Sequence, residues 1–467
     1  MGRMRRPRAR SCPYQPPTGI YPNHRDDRKW SAEGTLILIC TNRIGSPSHQ
    51  DARPGEAERR LGTNGEGREG KVGLGDRLLD WALQGDLKRK LLAIVIFGLF
   101  IYGTVIALDG LLIRPLFGDV LSDPTDLNFY RDRAENILDG KIPYVDFYSE
   151  SPPLIMYLFL IPQLAGGSTQ VYQLFFAAFA MMTAMAFFLF LREIDERKAM
   201  AASILYLVYP LGMLEFGFGV QDEAITTFLF VLPLLLLLQK RAAASGAASF
   251  IGVLTKMFNV IVLPWTFLHC DNRGRLKMVI ALGILALLVI VPFMLLFPGE
   301  LPSFSYYFLG DPDSPTGGSS ISPWHYVGEL GFGLPGWAGV ALTLIGLAAA
   351  SLFAYWKKMS LWQGATLVTM VFFLTYPKIL LVYFMMPAVL LLMWGVEDRK
   401  VVLKLSAMLV PLFLSVAVTG NGKNPLVDEP WVWVVGIVLS LMGWALFVHA
   451  WWKVRDERPF FERSDAQ

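Results

Sequence analysis

Residues 88–113 read Lys-Arg-Lys-Leu-Leu-Ala-Ile-Val-Ile-Phe-Gly-Leu-Phe-Ile-Tyr-Gly-Thr-Val-Ile-Ala-Leu-Asp-Gly-Leu-Leu-Ile. After the three leading cations, the apolar part exceeds the roughly 20 residues that a helix needs to cross about 30 Å of hydrocarbon. Cations at one end of a span favour the cytoplasmic side. The stretch therefore predicts a first membrane span that leaves the N-terminus inside and brings the following segment outside.

The composition of the whole chain points to the same class. Hydrophobic residues make up 54% of the sequence and charged residues 17%, and the mean hydropathy is +0.43. This balance excludes a soluble globular protein, and spans in lipid must be helices because every backbone group has to be satisfied internally. We therefore predict an all-α polytopic membrane protein whose partner is the lipid bilayer, with no nucleic acid among its ligands.

The placement of Lys and Arg predicts the topology. Every short loop assigned to the cytoplasm is basic, which indicates about ten spans plus a hairpin, with both termini inside. The hairpin is residues 247–269, an apolar stretch interrupted by Lys256 and Pro264 and flanked by basic residues. We expect Lys256 to lie toward the cytoplasmic half and to pair or extend to water. The spans show no internal repeat and no matched pair of broken helices, which are typical of many transporters.

The domain boundaries follow from this topology. Residues 1–85, rich in Arg, Pro, Gly and Ser, predict a disordered basic tail that cannot bury enough apolar surface to fold. Residues 86–456 form the predicted transmembrane domain, and residues 457–467 form a cytoplasmic C-terminal tail. Two long segments, residues 114–168 and residues 298–335, face the outside.

The part of the first outer segment that spans residues 126–153 concentrates carboxylates and aromatic rings. Apolar residues at helical spacing predict an amphipathic helix on the membrane surface: Phe129, Ala134, Ile137 and Leu138. Asp126 falls just before this helix. Its carboxylate could cap the helix or act as a general base toward an acceptor hydroxyl, and the two roles are compatible.

Two further pairs of carboxylates are candidates. Asp146 and Glu150 lie in a segment bracketed by prolines, which could hold them beside a substrate, although solvated loop charge is the usual state of such residues. Asp222 and Glu223 are adjacent at the outer mouth of a span. They could line the same cavity as Asp126 or only supply favourable charge at a helix N-terminus.

Two residues of the outer face could contact phosphate. Lys378 is a rare cation on that side and suits a phosphate partner, or it anchors the interface by extending to water. His325, within Trp324-His325-Tyr326, could contact a sugar or phosphate, or belong to the aromatic belt. The sequence contains no Gly-rich phosphate loop, no His/Cys metal cluster and no nucleophile elbow.

The first outer segment carries a recognisable pattern of residues. It reads Asp126-x-x-x-Tyr130-x-x-x-Ala134-x-x-x-Leu138-x-Gly140-x-x-Pro143-Tyr144-x-Asp146, then Glu150-x-Pro152-Pro153-Leu154. This resembles the first luminal or periplasmic loop of the GT-C superfamily of integral-membrane glycosyltransferases. It is most similar to glycosyltransferase family 87 and to protein-mannosyltransferase-type members. Gly252-x-x-x-Lys256 and Lys378-x-x-x-x-Tyr383-x-x-x-Pro387 resemble later motifs of the same superfamily.

The resemblance implies a GT-C-type bundle with amphipathic helices in the first outer loop, and it implies a hexosyltransferase. The donor would be a sugar, mannose-like most of all, on dolichyl or another polyprenyl phosphate. The acceptor would be a hydroxyl of a glycan, lipid or protein. Asp126 would be the general base of an inverting transfer on the extracytoplasmic face of the plasma membrane, or of the endoplasmic reticulum in a eukaryote.

The resemblance also assigns supporting roles. Lys378, with His325 behind it, would stabilise the lipid phosphate as it leaves. The candidate substrate-binding residues are Tyr130, Asp146, Glu150, Asp222, Glu223, His325 and Lys378. A divalent metal occurs in some relatives, but the sequence offers no firm ligand set, and no cofactor is firmly predicted.

Two other classes of function stay open from the sequence. A transporter or flippase of a lipid-linked sugar predicts charged or broken helices at mid-membrane. A glycosyltransferase predicts carboxylates in an outer loop, which is the pattern present here. A non-catalytic assembly subunit is the third class.

Overall fold

The structure is a computed structural model that describes residues 74–117, 125–297, 320–328, 336–419 and 429–463. Within these ranges every regular secondary-structure element is a helix, and the only β-type pairing is an isolated bridge between Pro143 and Phe147. The prediction of an all-α protein is confirmed for the part of the chain that the structure describes.

Helices in the first half of the chain run from the first span to the predicted hairpin. They are α1 (Leu74–Ala82), α2 (Leu87–Leu108), α3 (Arg114–Phe117), α4 (Leu127–Leu138), α5 (Pro153–Leu158), α6 (Leu160–Leu164), α7 (Thr169–Leu191), α8 (Glu196–Leu207), α9 (Pro210–Gly212), α10 (Glu223–Leu238), α11 (Ala242–Thr255) and α12 (Asn259–His269). Two π-helical turns, Asp109–Ile113 and Met213–Phe218, follow α2 and α9.

Helices in the second half complete the bundle. They are α13 (Asn272–Leu296), α14 (Pro323–Val327), α15 (Gly336–Trp356), α16 (Leu361–Thr375), α17 (Met385–Gly395), α18 (Arg399–Ala407), α19 (Leu409–Thr419) and α20 (Pro430–Val454). Short 3-10 helices, Leu381–Phe384 and Phe460–Glu462, precede α17 and follow α20.

By length and composition, six described helices can cross a membrane. They are Leu87–Leu116, Thr169–Leu191, Asn272–Leu296, Trp337–Trp356, Arg399–Thr419 and Trp431–Val454. A seventh is added if Glu196–Leu207 and Pro210–Phe218, bent by 43°, form one span. The predicted count of about ten spans plus a hairpin is not confirmed, because other apolar segments form helices of 10–17 residues.

The helix α13 shows why this bundle belongs in a membrane. It is apolar around its whole circumference, and none of the 18-residue window that best fits a span is buried inside the protein. Leu287, Leu288 and Leu295 are 63%, 66% and 76% exposed. Soluble monomers rarely expose a continuous apolar surface of this extent, so lipid is the solvent that this helix fits.

The core of the bundle is built around α17. All eleven of its residues are buried, and it packs against α8, α10 and α16. The buried indole of Trp362 in α16 donates to the Leu390 carbonyl at 3.0 Å. A helix that is apolar on every side and covered on every side forms the centre of a large core.

The predicted amphipathic helix of the first outer segment is present as α4. Its buried face is Leu127, Tyr130 and Ala134, which packs toward α5 and α6. Phe129 and Leu138, predicted to share the apolar face with Ala134, are 60% and 49% exposed. The prediction of the face was therefore partly wrong, because the stacking of Tyr130 on Phe159 at 4.4 Å turns the tyrosine inward.

The chain ends differ from the predicted tails. Helix α1 lies inside the predicted tail of residues 1–85, and Asp80 forms an ion pair with Arg197 at the start of α8. The remainder of that tail, and most of the predicted outer segment 298–335, lie outside the described residues. In the predicted C-terminal tail, Phe460–Glu462 is buried against Trp362. Apolar side chains let α1 and Phe460–Glu462 pack onto the bundle.

Candidate functional site

Asp126 occupies the N-cap position of α4, but its side chain does not cap the helix. The backbone carbonyl of Asp126 accepts from the Tyr130 amide at 3.1 Å, which begins the helix. Within the described residues the carboxylate has no hydrogen-bond partner, and the side chain is exposed. Of the two roles that the sequence left open for Asp126, the cap is wrong, and an accessible acceptor group is left at the helix N-terminus.

The surroundings of Asp126 raise its pKa. The largest cause is the protein around the carboxyl, which displaces water that would stabilise the charged form. The negative charge of Asp222 acts in the same direction, and that of Glu150 adds a smaller effect. The positive charges of Lys256 and Arg133 oppose these effects without cancelling them. Asp126 thus binds a proton more readily than an ordinary aspartate.

Next to Asp126 lies a buried group of three charges. The Lys256 ammonium is 2.7 Å from Asp222 Oδ1, and it also binds Glu223 Oε1. Asp222 and Glu223 are 6% and 1% exposed. Burying single charges in apolar surroundings is costly, so these three are retained together because they pair. We call Lys256, Asp222 and Glu223 the ionic triad.

The position of Lys256 corrects a prediction. We expected this lysine in the cytoplasmic half, away from Asp222 and Glu223. It pairs with both, and the Asp222 amide donates to the Tyr130 hydroxyl of α4 at 3.3 Å. Lys256 therefore lies at the same end of the bundle as Asp126. With 14 residues, α11 is about 21 Å long, which is enough to carry its C-terminus across most of the hydrocarbon.

A close approach at Gly252 sets the shape of the hairpin apex. A Cβ on Gly252 would lie 2.3 Å from Asn259 Nδ2. The Asn259 amide in turn donates to the Leu229 carbonyl of α10 at 2.8 Å. These contacts fix α11 and α12 against α10, and Lys256 between them takes an extended backbone. Its ammonium also lies 5.5 Å from the centre of the Tyr383 ring.

Glu150 and Lys378 bring a third part of the chain to this end of the bundle. Glu150 is exposed, and its charge acts on both Asp126 and Lys378. Burial lowers the pKa of Lys378, and the charge of Glu150 works against that effect.

Two further predicted site residues make contacts of their own. Asp146 Oδ2 accepts from the Ile142 amide at 2.7 Å, within a turn where Tyr144 has a φ of 69°. This carboxylate therefore stabilises its own loop. His325 is buried, and its ring lies 6.1 Å from Trp433 and 5.5 Å from Tyr326. It packs toward α19 and α20.

Sequence reasoning missed three residues of this site. Lys256 stood out as a charge within an apolar stretch, which is a signal for function, but it was assigned to the wrong end. Glu215, in the π-helical turn Met213–Phe218, interacts electrostatically with Asp126, and a single acid at the end of an apolar run was its only signal. Tyr383 was noted only as part of a motif.

Within the described ranges no group of three or more His, Cys, Asp or Glu side chains is arranged to hold a metal ion. The residues around Asp126 thus supply no ligand set that fits a divalent cation.

No protein-family model matches the chain, and no curated protein matches its sequence.

Proposed function

We propose that the protein is a membrane glycosyltransferase that moves a hexose, mannose-like most of all, from a polyprenyl-phosphate donor to an acceptor hydroxyl. The observation that carries this proposal is the state of Asp126. Its carboxylate is accessible, makes no capping bond and has a raised pKa. A carboxylate with these properties suits proton abstraction, because a base works best when its pKa approaches the operating pH.

The proposed step needs one proton acceptor and one stabilised leaving group. The acceptor hydroxyl gives its proton to Asp126, and its oxygen attacks the anomeric carbon as the bond from that carbon to the phosphate oxygen breaks. The electron pair of that bond leaves with the polyprenyl phosphate, and the configuration inverts. Lys378 is the proposed partner of the phosphate charge, and its electrostatic link to Glu150 supports a position near the first outer segment.

The ionic triad supports the proposal as a positioning device. Lys256 fixes the Asp222 carboxylate, and Asp222 is the charged neighbour that does most to raise the pKa of Asp126. Tyr130 links the two elements, since its hydroxyl accepts from the Asp222 amide while its ring lies in the buried face of α4. The base and its electrostatic environment are thus held by one set of contacts.

The test uses purified protein in liposomes with a panel of polyprenyl-phosphate sugars and acceptors. We expect Asp126→Asn to lose at least about a hundredfold in rate, as expected when a general base is removed. Asp132→Asn is the matched control, because Asp132 is an exposed aspartate of the same helix. Full activity in Asp126→Asn, with folding unchanged, would show that the base is assigned to the wrong residue.

A second candidate function is a transporter or flippase of a lipid-linked sugar. Two observations favour it: the 43° break between Glu196–Leu207 and Pro210–Phe218, and the ionic triad buried among apolar helices. Broken helices and buried charges are typical of transport sites. The same liposomes separate the candidates. Consumption of donor with formation of glycosylated product indicates transfer, whereas sugar-lipid that crosses the bilayer unconsumed indicates transport.

A further inference from the structure

A cavity of about 690 Å³ lies at the end of the bundle away from Asp126. Its walls come from the α10–α11 turn, the α12–α13 turn, the α15–α16 turn and the C-terminal segment. This volume is within the range of sites for small molecules, and it is larger than one phosphate group needs.

Five cationic side chains line this cavity: Lys240, Arg273, Lys277, Lys358 and Arg458. All five are exposed. In the described part of the chain, none of them forms an ion pair or a side-chain hydrogen bond, although nearby cations such as Lys198 and Arg463 are paired with Glu397.

The two carboxylates in the cavity wall do not neutralise these cations. Asp271 Oδ1 accepts from the Gly274 amide at 2.8 Å and thereby caps α13. Glu462 accepts from the Trp362 amide at 2.9 Å and from the Ser360 hydroxyl. Both acids accept hydrogen bonds from backbone amides or a hydroxyl. Because five cations face only these two acids, the cavity keeps an excess of positive charge.

Two of the cations belong to residues with a strained backbone. Lys240 and Lys358 have φ values of 60° and 51°, in the left-handed region that favours glycine. Each is the second residue after the end of a helix, and the two helix ends are closed by the same pair of bonds. Lys240 and Arg241 donate to Leu237 and Leu236. Lys358 and Met359 likewise donate to Tyr355 and Ala354.

Glycine is the usual residue at this helix-ending position. Here Lys240 and Lys358 occupy these positions despite the strain, and both line the same cavity. Strain that the fold tolerates is often found at functional sites.

We propose that this cavity binds a phosphate-bearing anion, which is either the headgroup of an anionic lipid or a soluble phosphate compound. Unpaired Lys and Arg side chains around a cavity suit phosphate oxygens, which accept several charge-assisted hydrogen bonds at once. The site is separate from the Asp126 end and does not depend on the proposed transfer reaction.

The test variant is Lys240→Gly with Lys358→Gly. Glycine adopts the left-handed backbone without strain, so the double variant removes two cavity charges and should fold at least as stably. The matched control is Arg399→Gln with Lys400→Gln. It removes two exposed cations close to Glu397, at the same end of the bundle and outside the cavity wall.

Two arms distinguish the source of the phosphate. Calorimetry in neutral detergent measures the binding of inorganic pyrophosphate. Thermal unfolding in mixed micelles compares phosphatidylglycerol with phosphatidylcholine. We expect the wild type and the control to respond in one arm, and the glycine variant to bind roughly tenfold more weakly there or to lose the stabilisation.

A response to pyrophosphate identifies a soluble ligand, and a response to phosphatidylglycerol alone identifies a lipid headgroup. The proposal is overturned if the wild type responds in neither arm. It is also overturned if the glycine variant matches the control, because the cations then serve only to orient the chain in the membrane.

Discussion

Asp126 shows how a single residue can look structural in sequence and be something else in the fold. The N-cap position is where aspartate normally accepts from the first free amides of a helix. Here the carboxylate accepts no capping hydrogen bond and lies beside the ionic triad. An aspartate at an N-cap position that makes no capping hydrogen bond and has a raised pKa has the properties of a functional group.

The raised pKa of Asp126 predicts the pH dependence of transfer. In the proposed transfer the unprotonated base is the active form, so kcat/KM should fall as the pH drops through the pKa of Asp126, which lies above the ordinary aspartate value. Arg133 lowers that pKa and Glu150 raises it. Arg133→Gln should move the acid limb of the pH profile of kcat/KM to higher pH, and Glu150→Gln should move it to lower pH.

The measurement is the pH profile of kcat/KM for the wild type and both variants. Asp132→Asn, on the exposed side of α4, is the control and should leave the profile in place. Shifts of the two variants in the same direction would contradict the assignment of this limb to Asp126.

The same pKa predicts an effect on stability. A folded-state pKa above the unfolded value means that the stabilisation is full below the unfolded pKa and is lost as the pH rises through the folded pKa. Asp126 therefore does not stabilise the fold at neutral pH. We expect Asp126→Asn to melt at the wild-type temperature or higher at pH 7. A clear loss of stability at pH 7 would indicate that the carboxylate has a structural partner.

At the scale of elements, the ionic triad joins α10 to the turn between α11 and α12. Removing one member leaves the others buried and unpaired, which costs more than the pair contributes. We expect Lys256→Met to destabilise the protein by about 3–5 kcal/mol. Combining it with Asp222→Asn and Glu223→Gln should recover most of that loss. Unfolding in detergent measures both, and a triple variant as unstable as Lys256→Met would exclude this explanation.

A second contact between elements involves the two π-helical turns. Gln173 of α7 donates to Asp109 Oδ2 at 2.6 Å and to the Gly217 carbonyl at 2.5 Å. Arg114 donates to the same Asp109 oxygen at 2.6 Å. These bonds place the turn that carries Glu215 against α2. A π-helical turn is often found at functional sites, and this one carries Glu215, which interacts electrostatically with Asp126.

The close packing at Gly217 gives a test of this contact. A Cβ at Gly217 would lie 2.2 Å from Val105 Cγ1. Gly217→Ala should therefore destabilise the protein by about 1–3 kcal/mol through overpacking. Adding Val105→Ala removes the clashing methyl and should restore part of the loss. If the losses of stability of the two single variants simply add in the double variant, or the double variant loses more than that sum, the clash is not the cause.

At the scale of the whole molecule, the two ends of the bundle differ in chemistry. One end holds Asp126, Glu150 and the ionic triad, and the other holds the cavity with its unpaired cations. The distribution of Lys and Arg predicts that the acidic end faces outside and the basic end faces the cytoplasm.

Cysteine labelling tests this orientation. In a background with Cys12, Cys40 and Cys270 replaced, we introduce Asp132→Cys or Lys358→Cys, both at exposed positions. A membrane-impermeant maleimide should label the first variant in intact cells and the second only after permeabilisation. Labelling of both variants from one side would exclude the predicted arrangement.

The sequence by itself determined the helical class, the membrane environment, α4 and the place of Asp126 at the start of α4, because apolar length, helical spacing and local turn chemistry act between near neighbours. The tertiary structure alone decided that Lys256 pairs with Asp222 and Glu223, that Tyr130 faces inward, that Asp146 serves its own loop and that His325 packs toward α19 and α20. Apart from the Asp146 bond within its own turn, each of these depends on segments far apart in the chain, and the ion-pair partners of Lys256 lie 33 and 34 residues away in sequence. Charges pair in a membrane because an unpaired charge there is costly, and the chain order does not specify which distant partner the packing supplies.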